Sequence, residues 1–148
     1  MQFVARSVIH APPERVFAFH ELPDSHLRLT PPWSGSRVIQ PAASLAVGAR
    51  AIVDIRVVPL VWIRTELVHV IHEPPVRFVD EQVRGPFKSW RHRHQMTRVD
   101  GGTELADVID FEPPLGALGR AVAPMLMLPR LRKLFAHRHR VTREWCEA

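Results

Sequence analysis

Gly85-Pro86-Phe87-Lys88-Ser89-Trp90-Arg91-His92-Arg93-His94-Gln95-Met96 alternates between two kinds of side chain. Taken with a period of two, it separates into two faces, as a half-buried strand does. Trp90, His92, His94 and Met96 share one face; Ser89, Arg91, Arg93 and Gln95 share the other. The arginine face belongs in water, so the inner face carries two imidazoles beside a tryptophan and a methionine. A buried polar group without a partner costs about 1–3 kcal/mol. Two inward histidines therefore imply a polar spot, and with it a pocket, in an apolar interior.

Working outward, Asp100-Gly101-Gly102 reads as a hairpin turn, because glycines accept the positive φ angles of tight turns. Thr103 to Glu112 then pairs back, which sets positions 96–98 opposite 104–106 and brings Asp107 close to His94. Upstream, Val76 to Val83, Val61 to His72 and Gly48 to Val58 also read as strands, separated by Glu73-Pro74-Pro75 and Pro59-Leu60. On the 61–72 strand, Trp62, Arg64, Glu66, Val68 and Val70 share one face, and Ile63, Thr65, Leu67, His69 and Ile71 the other. Their apolar content is nearly equal, so periodicity leaves the inward face open. Val38-Ile39-Gln40 is a short strand, and Met1 to His10 is the first one. Between them Pro13 and Glu14 open a short helix bearing Val16, Phe17 and His20, and a second short helix carries Leu27 and Leu29.

After Pro113-Pro114 the period becomes helical: Leu128, Leu131, Phe135, Arg138, Thr142 and Trp145 recur at spacings of three and four. Pro129 opens a long helix reaching about Glu147, with a shorter helical piece before it. Met125-Leu126-Met127-Leu128 is expected to plug one end of the core. The fold class is α+β: a curved antiparallel sheet of six to seven strands wraps around the C-terminal helix, its only available cover.

The chain has 148 residues, 46% hydrophobic and 24% charged, which predicts one soluble domain spanning 1–148. A single Cys146 excludes an internal disulfide framework and fits a reducing, cytoplasmic setting. No signal peptide or membrane span is read. The net charge of +5 is local: from Leu115 on, seven basic side chains (Arg120, Arg130, Arg132, Lys133, Arg138, Arg140, Arg143) meet Glu144 and Glu147. No nucleic-acid motif accompanies them, so a solvated helix face is expected and no nucleic-acid partner.

The order of elements and several local motifs resemble the START/Bet v 1-like superfamily, also called SRPBCC or helix-grip proteins, and within it the small bacterial polyketide cyclase/dehydrase-like and cell-division-inhibitor-like members. The resemblance rests on Ala11-Pro12-Pro13-Glu14-Arg15-Val16-Phe17, Pro74-Pro75-Val76-Arg77-Phe78-Val79-Asp80, Gly85-Pro86-Phe87, Trp90-Arg91-His92-Arg93-His94 and Gly102-Thr103-Glu104-Leu105-Ala106-Asp107. Pro114-Leu115-Gly116 and Phe135-Ala136-His137-Arg138 extend it to the tail. It implies a seven-stranded sheet gripping the last helix over a cavity for an apolar small molecule, with Trp62 and Glu66 turned inward.

The first expectation is therefore a binding protein for a hydrophobic small molecule of lipid, polyketide or aromatic type. Its ligand would contact Trp62, Glu66, Trp90, His92, His94, Met96, Asp107, Leu131 and Phe135. The second is a cyclase, dehydratase or hydrolase with His92 or His94 as acid/base and Asp107 or Glu66 orienting it. A carboxylate fixing a histidine also describes a satisfied structural pair, so the pattern does not separate these. The chain has no tyrosine, which removes phenolic donors for an oxyanion. An interaction protein using the basic helix is the third reading. His92 and His94, about 6.6 Å apart along a strand, could share a metal with a third ligand, but neither metal nor cofactor is expected. His137 and His139 do not face each other on a helix, and Cys146 reads as a bystander. A monomer or homodimer is expected.

Overall fold

A computed structural model describes residues 1–148. The elements run β1 (Gln2–Ile9), α1 (Pro13–Glu21), α2 (Ser25–Arg28), a 3-10 turn (Pro32–Ser34), β2 (Ser36–Gln40), β3 (Arg50–Val58), β4 (Val61–Glu73), β5 (Arg77–Arg84), β6 (Ser89–Val99), β7 (Gly102–Glu112) and α3 (Gly116–Cys146). The seven strands form one antiparallel sheet in the order β1-β7-β6-β5-β4-β3-β2. Short reversals join β3 through β7 in sequence, and β1 crosses over to pair with β7. The sheet curls into a half-barrel around α3, which is the helix-grip arrangement. No helix is long and apolar enough to cross a membrane.

Two apolar clusters fill the grip. One gathers Ile9, Val16, Phe17, Phe19, Phe78, Met96, Leu105 and Cys146 under α1. The other gathers Phe3, Ile109, Phe111, Leu131 and Phe135 around the middle of α3. Burying each large side chain contributes about 1.5–3 kcal/mol, so both clusters anchor the helix to the sheet.

The inner face of β4 corrects one expectation. Ala51 and Val53 of β3 are each 5% exposed, and their ladder partners are Leu67 and Thr65. Directly opposed residues share a face, so Thr65 and His69 point inward and are buried. Trp62 and Glu66 therefore lie on the outer face. There the Arg37 guanidinium stacks 3.6 Å above the Trp62 ring, and Glu66 pairs with Arg50.

The C-terminal helix corrects two more. α3 runs unbroken through Pro124 and Pro129 instead of starting at Pro129. Each proline lacks the N–H that would reach back four residues, to the carbonyls of Arg120 and Met125. Both residues are exposed, so water can take up those carbonyls. Met125 and Leu126 are 76% and 60% exposed and plug nothing, whereas Met127 and Leu128 pack against the second cluster. Part of the positive charge on α3 is matched within the fold. Arg120 pairs with Glu112 and Arg140 with Glu144, while Arg130 and Arg138 donate to the carbonyls of Arg56 and Leu29.

Candidate functional site

Between the two apolar clusters lies a polar layer to which β6, β7, β1 and α3 contribute at the same height, with Asp80 of β5 beside them. Along β6 the inner face reads Trp90, His92, His94, Met96; along β7 it reads Leu105, Asp107, Ile109. Along β1 it reads Phe3, Ala5, Ser7, Ile9, and the buried stripe of α3 is Leu131, Phe135, His139, Thr142, Cys146. Each segment changes from apolar to polar and back, so their polar residues meet.

Asp107 is the hub. Its Oδ1 accepts from His92 Nε2 at 2.8 Å, and its Oδ2 accepts from His139 Nε2 at 2.7 Å. His94 Nδ1 lies 3.0 Å from Asp107 Oδ1 but off the line of a hydrogen bond. His94 donates its Nε2 proton to Asp80 Oδ2 at 3.1 Å. On the far side of His139, Ser7 Oγ stands 2.6 Å from Nδ1. The His92 and His94 rings lie 3.7 Å apart, and Phe78 stacks on His94 at 4.0 Å.

Electrostatics divides the histidines. Burial disfavours the His94 imidazolium, but Asp107 and Asp80 outweigh it and raise the pKa to about 9, so His94 carries a proton at neutral pH. Burial likewise penalises the Asp107 carboxylate, yet His139, His92 and His94 hold it well below the usual carboxylate range. Asp80 is depressed in the same way by His94. Burial and the neighbouring His94 charge lower His92, and the same causes push His20 down to about 4. Burial lifts the Cys146 thiol to about 11, which leaves it unreactive.

Of the residues expected at the site, His92, His94 and Asp107 come together, flanked by Met96 in one apolar cluster and Leu131 and Phe135 in the other. Trp90 packs against Phe87 and Phe111 at the end of the layer. Trp62 and Glu66 are outside it. Sequence reasoning missed Asp80, Ser7 and His139. Asp80 pairs across the ladder with His92, and His139 continues the four-residue spacing of Leu131 and Phe135. That spacing was the available signal.

Asp80, His92 and His94 each offer a ligand atom, all within 4.8 Å of one another, a donor set suited to zinc or iron. In the structure their donor atoms are directed at Asp107 and at each other.

Two open clefts border the layer. One, of about 620 Å³, runs between β1 and α3 and is lined by Gln2 through Ser7 together with Leu128, Arg132, Phe135, Ala136, His139 and Arg143. The other, of about 690 Å³, opens at the end of the sheet beside Trp90, Lys88, Glu81 and Glu112, with few apolar walls. Neither is lined by His92 or His94. The first reaches the polar layer through Ser7 and His139.

A family profile described as polyketide cyclase / dehydrase and lipid transport matches residues 9–135. The chain belongs to this family. The polyketide cyclase family is one of START/Bet v 1-like folds for hydrophobic ligands, in agreement with the resemblance read from the sequence. No curated protein matches the chain in sequence. Among solved structures, it is similar to the di-domain ARO/CYC BexL from the BE-7585A biosynthetic pathway, at 20% identity over 100% of this chain and 50% of that one, with a TM-score of 0.74. It is also similar to a protein of Thermus thermophilus, at 15% identity over 99% and 97% of the two chains with a TM-score of 0.71. Ara h 8.0201 follows at 13% identity over 95% and 97%, with a TM-score of 0.62. At these identities the likenesses establish the polyketide cyclase fold and no further property.

Proposed function

We propose that the chain binds an apolar small molecule bearing an anionic group, in the cleft between β1 and α3. The observation that carries this reading is the composition of that cleft. Phe3, Ala5, Leu128 and Phe135 supply apolar wall, and Arg132 and Arg143 bring cationic groups, while Arg6 is paired with Glu104. Its volume of about 620 Å³ lies within the range of small-molecule sites. The family description, which includes lipid transport, supports an apolar ligand. The site lies between sheet and C-terminal helix, but at the β1 side instead of under Trp62.

His92 and His94 support this ligand indirectly. Both are buried against carboxylates and away from the cleft, so they orient Asp107 instead of meeting the ligand. Fluorescence titration with the anionic fluorophore 8-anilinonaphthalene-1-sulfonate tests the reading. We expect saturable one-to-one binding, weakened at least tenfold by Leu128→Asp and by Arg132→Glu. Binding that ignores both substitutions contradicts it.

A further inference from the structure

We infer that Ser7, His139 and Asp107 form a nucleophilic relay that hydrolyses carboxylic esters of apolar molecules carrying a separate anionic group, bound in the β1–α3 cleft. The inference rests on the cleft being the ligand site, and goes beyond binding. The three side chains stand in hydrogen-bonded sequence: Ser7 Oγ to His139 Nδ1 at 2.6 Å, and His139 Nε2 to Asp107 Oδ2 at 2.7 Å. A carboxylate accepting the Nε2 proton leaves Nδ1 as the free lone pair, which can take the serine proton. Asp107 is 4% exposed and bound by imidazoles, so it fixes the ring without reaching the substrate. Ser7 is the only one of the three that combines partial exposure with an alcohol in the cleft wall. The ring nitrogens are used in the opposite sense to the usual serine relay, but the roles of acceptor, base and nucleophile are filled.

The cleft also brings a backbone donor and positive charge to the neighbourhood of Ser7. Met1 and Phe111 exchange both backbone hydrogen bonds, so alternation turns the odd residues of β1 toward β7. The N–H of Arg6, next to Ser7 in the chain, then points off the open edge of β1. Arg132 and Arg143 bring positive charge from α3.

In the first half-reaction Ser7 Oγ bonds to the acyl carbon as its proton passes to His139 Nδ1. The carbon–oxygen bond to the leaving alkoxide breaks, and the alkoxide departs as alcohol with that proton. Water then attacks the acyl carbon and gives a proton to His139. The Ser7–acyl bond breaks, Ser7 regains a proton, and the free acid leaves.

The test is incubation of the full chain with an alkyl fluorophosphonate, in which Ser7 would form the oxygen–phosphorus bond and fluoride would leave. Intact-mass spectrometry should show one adduct per chain, mapped to Ser7 by fragmentation. Ser7→Ala should abolish it, and His139→Gln should slow it about 100-fold or more. Binding of 8-anilinonaphthalene-1-sulfonate, measured on each protein, reports the cleft separately. Absence of the adduct with fluorophore binding intact overturns the relay and leaves the binding site. Absence of both overturns the relay and the cleft together. An adduct that persists in Ser7→Ala also overturns it.

Discussion

Asp107 sits where three imidazoles converge, at 2.7, 2.8 and 3.0 Å, and is itself buried. A buried ion cluster contributes little net stability compared with apolar side chains of the same volume, but removing one partner leaves the others uncompensated. Asp107→Asn should therefore lower the unfolding free energy by about 3–5 kcal/mol, read from the denaturant midpoint. A loss below about 1 kcal/mol would mean that the imidazoles find other partners. His94 sets a pH dependence. Its folded pKa of about 9 stands above the unfolded value of 6.5, so its contribution is complete below pH 6.5 and is lost as pH rises toward 9. That loss is on the order of 3 kcal/mol. His20, held at about 4, acts oppositely: its contribution is present above pH 6.5 and lost as pH falls toward 4. Unfolding measured at pH 6.5 and pH 9 should show the decline in the native chain and a flat profile in His94→Gln. An equal slope in both proteins would remove His94 as its source.

At the scale of elements, α3 shows how tertiary contacts override local propensity. Alanine is favoured over glycine in a helix by about 1 kcal/mol, which alone would make Gly119→Ala stabilising. A Cβ at Gly119, however, would stand 1.7 Å from the Pro114 carbonyl oxygen, a contact with rigid backbone. Gly119→Ala should lower the melting temperature by several degrees through about 1–3 kcal/mol of overpacking, and an unchanged or raised value would refute that close approach. The strands were legible because alternation of burial imposes a period of two, and the Asp100-Gly101-Gly102 hairpin fixed the β6–β7 register. The inner face of β4 was not legible from its own residues. It follows only when Ala51 and Val53 of β3 are paired with Leu67 and Thr65. The prolines of α3 misled because their cost depends on whether water reaches Arg120 and Met125, which is a tertiary fact.

For the whole molecule, the sheet-and-helix grip was readable because one element order admits few ways to bury its apolar faces. The site was readable only in part. Asp107 and His94 are neighbours across one hairpin, whereas Ser7 and His139 lie 132 positions apart and meet only after β1 crosses to β7. Two apolar clusters with an ionised layer between them form an interior that burial energy alone would not select. That layer reaches solvent at the β1–α3 cleft, which is why the ligand is placed there and not beside Trp90. The most direct measurement is amide chemical-shift mapping of the isotope-labelled chain during titration with 8-anilinonaphthalene-1-sulfonate. Saturating shifts along Gln2–Ser7 and Leu128–Arg143 are expected. Shifts confined to the residues around Lys88, Trp90 and Glu112 would place the ligand in the other cleft and contradict it.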